Sequence, residues 1–263
     1  MVVSRSIDLK EKKGVEVIPG YQCLEVLGYD VFSGKLDIIQ DTSCKVLINT
    51  MSPNSYGVAL KDKLFEKALK GSDLLVLDGV GVAFGSLLLN GKNIKKIAGQ
   101  DCFDYFLELS NKNGWRVFFL GSTDDTLKKM KSRALNEYPN IKVEYFSPPF
   151  KPEFDEEDNS RMVTIINDFQ PNVLFVGLTA PKQEKWAFQH KEKVNAGIIS
   201  TVGNVFDWYA GNSKRPAKIW IKLRLEWLVR IFLRPEIFRR NTKNQMMFLR
   251  DLFLHILHIK RIK

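Results

Sequence analysis

Six short apolar runs recur along this chain, each leading through a turn into a stretch with helical spacing. They are KVLINT (45–50), LLVLDG (74–79), WRVFFLG (115–121), KVEYFS (142–147), NVLFVGL (172–178) and AGIISTVG (196–203). All are rich in β-branched or aromatic residues and too short for buried helices. Runs that are apolar throughout, rather than alternating, suit strands covered on both faces, as in a parallel sheet. Between and around them, 55–70, 81–90, 101–112, 124–137, 157–169 and 181–193 have helical length and periodicity. This β-α-β-α order predicts an α/β fold with a Rossmann-like parallel sheet and helices on both faces. The acidic run EFDEEDN (153–159) reads as a solvated loop entering a helix N-terminus, where acids are favoured.

Charge divides the chain more sharply than hydropathy does. The net charge is +10, yet residues 212–263 hold 14 Lys/Arg against 3 Asp/Glu, a net of +11, and the other 211 residues sum to −1. We therefore read a polar N-terminal extension (1–20), a near-neutral α/β body (21–211) and a basic appendage (212–263). Within the appendage, Lys218, Lys222, Glu226, Arg230 and Arg234 recur every four residues and form one polar stripe on an apolar helix. Pro235 marks a break or kink, and a second apolar segment, MMFLRDLFLHILHI (246–259), follows. Neither segment offers the roughly 20 uninterrupted apolar residues that a bilayer crossing needs. Such faces suit a helix lying on an anionic membrane surface; a pair of core-packing or dimer helices is the alternative. Aromatics set within apolar helical faces, not on an exposed platform, argue against nucleic acid.

Three scattered cysteines, Cys23, Cys44 and Cys102, fit a reducing cytoplasm better than a disulfide framework. The N-terminus lacks the apolar core of a signal peptide. His190, His255 and His258 have no Cys or carboxylate at ligand spacing, so no metal and no cofactor is expected.

Candidate chemistry gathers just beyond the strands, where ligands sit in open α/β sheets. Asp78 ends an apolar run and reads equally as a helix cap or as a catalytic carboxylate. GVGVAFG (79–85) has a loose G-x-G-x-x-x-G spacing, so a nucleotide-dependent oxidoreductase stays open as an alternative. NVLFVGLTAPKQEKW (172–186) runs from strand to turn to helix, with Pro181 suited to the first helical turn and Gln183 and Glu184 just after it.

Taken in order, NTMSPNSYGVALKD (49–62), SDLLVLDGVGV (72–82), KKIAGQD (95–101), WRVFFLGS (115–122), VGLTAPKQEKW (176–186), TVGNVFDWYAG (201–211) and RLEWLVR (224–230) resemble the WecG/TagA/CpsF family of bacterial glycosyltransferases. The resemblance runs from about Leu27 to Arg240. It implies a metal-independent, inverting transfer from a UDP-sugar to a sugar carried on undecaprenyl diphosphate, in teichoic acid or surface polysaccharide synthesis. It also implies a peripheral location on the cytoplasmic face of the cell membrane. Whether the chain forms a homo-oligomer stays open.

By this resemblance Asp78 matches the general base, Thr50 a polar neighbour and Gln183 an active-site amide. Asp207 matches a carboxylate near the uracil, Phe150 a stacking aromatic, and Arg230 and Arg240 basic appendage residues that complete the site. Ser52 stands where the family usually has Asn, Lys96 where Arg is common, and Ile237 where an appendage Arg is frequent. Lys96 keeps the charge without the bidentate fork. A solvated Asp, with a pKa of about 3.9, is a weak base, so the role given to Asp78 calls for burial. The chain has no Asp-x-Asp metal clamp, which leaves the departing diphosphate to helix N-termini and to cations such as Lys96, Arg230 and Arg240. Glu184 reads as structural, and Trp186 as packing its helix on the sheet.

Overall fold

The structure, a computed structural model, describes residues 21–213 and 235–257. The chain enters through a hairpin that its sequence does not announce. Strands β1 (Cys23–Val26) and β2 (Tyr29–Phe32) pair antiparallel across Leu27 and Gly28, which have φ of 50° and 81°. A two-residue turn with both central φ positive matches the twist of the flanking strands.

The six anticipated strands all form: β3 (Val46–Met51), β4 (Leu74–Leu77), β5 (Arg116–Gly121), β6 (Lys142–Phe146), β7 (Val173–Gly177) and β8 (Ile198–Thr201). They make one parallel sheet in the order β4-β3-β8-β7-β5-β6. Thr50 lies opposite Val76, and Gly121 opposite Gly177. The helices are α1 (Pro53–Ala59), α2 (Lys63–Lys70), α3 (Val80–Asn90), α4 (Gly99–Asn113), α5 (Asp124–Glu137), α6 (Glu156–Phe169), α7 (Lys182–His190), α8 (Val205–Tyr209) and α9 (Pro235–Ile256). The single helix expected over 55–70 is two, because Asp62 accepts the Phe65 N–H at 3.0 Å and starts α2 afresh. The acidic run enters α6 as expected, with Asp155 and Asp158 forming a capping box.

Alternate strand residues face opposite layers. Ile48, Val76, Phe119 and Phe175 pack with Phe103 and Phe106 of α4 and Phe206 of α8. On the other face, Phe118, Leu174 and Val176 pack under α6 and α7, with Trp186 buried as the sequence suggested. At the β3–β4 end of that face, Met51 and Leu77 meet the hairpin, α1, α2, α3 and α9.

The last helix is part of this core. Phe248 and Leu252 are buried, and the Phe248 ring meets Tyr56 edge-on at 5.5 Å. The Tyr56 hydroxyl donates to the fully buried Asp251 at 2.9 Å, while Arg250 pairs with the other carboxylate oxygen at 2.8 Å. A Cβ on Gly57 would lie 2.3 Å from Asn244 Cβ, so α1 and α9 are in near-backbone contact. Of the two readings left open for the appendage, core packing thus holds for one face of α9. The first appendage segment, read as a helix carrying the Lys218 to Arg234 stripe, lies wholly outside the described residues. Among the described residues no helix is long and apolar enough to cross a membrane.

Truncating a buried Phe typically costs about 3–5 kcal/mol. Phe248→Ala should therefore lower stability by roughly that amount in urea unfolding, whereas an unchanged midpoint would show that α9 is not docked in solution.

Candidate active site

Asp78 directly follows β4. Its N–H donates to the Met51 carbonyl at 2.8 Å, which prolongs the β3–β4 pairing by one residue. Gly79 then turns the chain at φ 104°, a conformation that a side chain would strain. Helix α3 starts with no side-chain cap, so the helix-cap reading of Asp78 does not hold. The segment between α3 and α4 runs back along β4: the Ile97 N–H donates to the Leu77 carbonyl at 3.0 Å, and Ile94 is buried against the same core. That return brings the Lys96 ammonium to 3.4 Å from Asp78 Oδ1.

Both side chains stay open to solvent, Asp78 at 42% and Lys96 at 36% exposure. Among the described residues nothing supplies the expected burial of Asp78. An ion pair this exposed contributes at most about 1 kcal/mol, so stability is a poor reason for it.

Thr50 lies half-buried near the end of the adjacent strand β3. Ser52 is committed elsewhere: its hydroxyl accepts the Ser55 N–H at 3.1 Å and caps α1. Its neighbour Asn54 accepts from Asn244 of α9 at 3.0 Å. Asp207, in the first turn of α8 beyond β8, is half-buried, and with the Asn204 amide turned to satisfy both its partners, Asn204 donates to Asp207 at 3.0 Å.

Phe150 is fully exposed in the loop after β6. Strand β6 is five strand steps from β4, about 24 Å, so Phe150 and Asp78 belong to opposite ends of the edge. The loop folds back toward the centre, where Lys182 of α7 donates to the Lys151 carbonyl at 2.8 Å. Arg230 lies outside the described residues, and for Arg240 only its helical backbone within α9 is described.

Gln183 and Glu184 are both buried where α7 leaves the carboxyl end of β7. Gln183 Nε2 donates to Glu184 Oε1 at 2.8 Å, while Gln183 Oε1 and Glu184 Oε2 have no partner among the described residues. Burial pushes the Glu184 carboxyl up to about 7, against smaller opposing effects of the Gln183 hydrogen bond and of its own backbone N–H. A carboxyl buried without a cation is a costly piece of scaffold. An amide and an acid at a helix start look solvated in sequence, and only the insertion of this turn against the sheet reveals otherwise.

The oxidoreductase alternative loses its context. Strand β4 is at the sheet edge, and β5, next in the chain, pairs with β6 and β7 instead. The G-x-G turn thus opens no unit of adjacent parallel strands, which the dinucleotide fingerprint requires. Among the described residues, no three His, Cys, Asp or Glu side chains cluster so as to hold a metal ion.

A carboxylate beside an ammonium at a strand end, with a buried amide further along the edge, suits transfer between oxygen atoms. Comparison with known proteins gives the arrangement its family. A model of the glycosyl transferase WecG/TagA/CpsF family matches residues 26–261. The chain belongs to this family. It is a glycosyltransferase. A Bacillus subtilis (strain 168) protein, N-acetylglucosaminyldiphosphoundecaprenol N-acetyl-beta-D-mannosaminyltransferase, is 32% identical over 200 residues, 76% of each chain. Proteins of the same name from Bacillus spizizenii and Staphylococcus aureus (strain NCTC 8325 / PS 47) are 26% identical over 200 residues (76% of each chain) and 28% identical over 188 (72% of each).

The burial of Glu184 has a pH signature independent of activity. Between its ordinary value of 4.5 and about 7, the native state holds a proton that the unfolded chain has released. This contribution to stability is fully present below about 4.5 and is lost as the pH rises through about 7. Relative to Glu184→Gln, the wild-type Tm should fall progressively across that window; a constant difference would mean the native carboxyl titrates in the ordinary range.

Proposed function

We propose that this glycosyltransferase moves N-acetylmannosamine from its UDP derivative to N-acetylglucosaminyl-diphosphoundecaprenol, the acceptor named for its relatives. The observation that carries this reading is the Asp78–Lys96 pair at the carboxyl edge of β4. In the proposed step, the acceptor hydroxyl oxygen bonds to the sugar C1 while the bond from C1 to the diphosphate oxygen breaks. The hydroxyl proton passes to the Asp78 carboxylate, and UDP leaves with the bonding electron pair. Attack opposite the leaving group inverts the anomeric centre. Lys96 offsets charge on the departing diphosphate in this reading, joined by Arg230 and Arg240 of the appendage. Thr50 and Gln183 hold sugar hydroxyls, and Asp207 and Phe150 hold the uracil. Ser52 acts through the α1 cap that keeps this edge in place.

The reaction belongs at a membrane surface, and α9 offers a face for it. Met246, Leu249, Phe253 and Leu257 recur at three- and four-residue intervals and are 58%, 47%, 62% and 49% exposed. Phe84, Leu87 and Leu88 of α3 extend the apolar surface. The two helices are neighbours, since a Cβ on Gly85 would lie 3.3 Å from Phe248. An apolar face of this kind in a segment of net +11 (212–263) suits the anionic inner leaflet.

A panel of UDP-sugars offered with a short-chain N-acetylglucosaminyl-diphosphate lipid should give transfer with UDP-N-acetylmannosamine foremost. Asp78→Asn should lower turnover by about 10²–10⁴ with UDP affinity retained. Transfer from a different donor would change the assigned sugar, and a folded Asp78→Asn enzyme with near-normal turnover would remove Asp78 as the base.

Phe253→Glu combined with Leu249→Glu should abolish co-sedimentation with phosphatidylglycerol-containing vesicles while leaving the Tm unchanged. Full vesicle binding by that variant would place the membrane contact elsewhere.

A further inference from the structure

The buried carboxyl of Glu184 takes no part in the proposed sugar transfer, on whose reading this inference rests, yet it touches a residue that does. We propose that Glu184 is a positioning residue that locks the Gln183 amide in a two-bond pair, and that it does so as the neutral acid. The geometry supplies half of such a pair. Gln183 Nε2 donates to Glu184 Oε1 at 2.8 Å, and the two atoms left without partners, Gln183 Oε1 and Glu184 Oε2, are those the second bond would use. With an ionised carboxylate, both are acceptors in a dry interior and neither can satisfy the other. A proton on Oε2 turns one acceptor into a donor, and the acid hydroxyl then meets the amide oxygen. Burying a carboxylic acid costs far less than burying a carboxylate.

The surroundings favour the neutral form. Strands β3, β7 and β8 beneath α7 carry no ionisable side chain. Several charges on α7 and its neighbouring elements pair with one another. Lys185 pairs with Asp62 at the start of α2, Lys191 with Asp73, and Lys151 with Asp155 and Asp158. Lys182 donates to the Lys151 carbonyl. Near the far end of α7, His190 bonds the Trp186 carbonyl on its own helix and feels Glu156 of α6. Asp207, beyond β8, accepts from Asn204. Desolvation is accordingly the largest influence on Glu184 and holds its carboxyl near 7.

The pair sits where an oriented amide is useful. Gln183 Nε2 lies 4.0 Å from a Cβ built on Gly203, so the amide faces the turn that leads from β8 into α8 and Asp207. Locked to Glu184, the amide keeps one orientation, with its second N–H hydrogen and second oxygen lone pair held in fixed directions toward a sugar.

The test compares wild type, Glu184→Gln, Glu184→Met, Gln183→Ala and the Gln183→Ala/Glu184→Met double variant, each with its Tm. The assay uses UDP-N-acetylmannosamine and the short-chain N-acetylglucosaminyl-diphosphate lipid, from pH 5.5 to 8.5. Glu184→Gln, which mimics the neutral acid, should keep kcat/KM within about threefold of wild type at pH 6 and lose the part of the alkaline decline that begins near 7. Glu184→Met, which leaves the buried amide unpaired, should still fold with a somewhat lowered Tm, yet lose tenfold or more in kcat/KM, and the double variant should be no worse than Gln183→Ala. A folded Glu184→Met enzyme with wild-type kcat/KM overturns the proposal. So does Glu184→Gln that is as impaired as Glu184→Met, or that keeps the wild-type pH profile; these readouts stand even if Glu184→Met fails to fold. An inactive wild-type protein in this assay would instead count against the donor and acceptor assigned above.

Discussion

Parallel pairing of six strands is the constraint from which the rest follows. Neighbouring parallel strands need crossovers, so every strand ends at the same edge and every following turn emerges there. Both sheet faces must then be covered, which uses up α4, α5 and α8 on one side and the remaining helices on the other. Polar groups near that edge have few places to go. Asp78, Thr50 and Gln183 reach it from three different strands. The segment holding Lys96 joins them through the backbone hydrogen bond from Ile97 to Leu77.

Much of this was legible in the sequence because the physics is local. Continuous apolar β-branched runs pointed to all six strands of the sheet, and Gly or Pro at their ends pointed to the turns. The hairpin escaped because Leu27, a residue that seldom takes positive φ, occupies a turn position where Gly or Asn would have signalled it. The division of the helix at 60–62 was written in Asp62, but an Asp inside a charged stretch reads as surface until its side chain is seen on the Phe65 N–H.

The candidate site divides along the same line. Asp78 was visible as a carboxylate at a strand end, and Lys96 through the family resemblance, but their 3.4 Å approach depends on a loop that doubles back. The burial of Glu184 was not legible for a related reason: nothing in KQEKW tells which side of the first helical turn is driven into the sheet. The appendage was read from its charge, and its docking through Phe248, Leu252 and Asp251 depends on a long-range fit to Tyr56 and Gly57 that no window of sequence contains.

The central claim is that Asp78, taking the acceptor proton, and Lys96 beside it, facing the departing diphosphate, serve the same transition state. A double-mutant cycle on kcat/KM for transfer to the short-chain acceptor, using Asp78→Asn and Lys96→Met, tests it most directly. Groups that act together couple by about 0.5–3 kcal/mol, whereas independent ones add within about 0.5 kcal/mol. The expected coupling is above about 1 kcal/mol, with the double variant little worse than Asp78→Asn alone. Strict additivity, or a Lys96→Met enzyme equal to wild type, would contradict it.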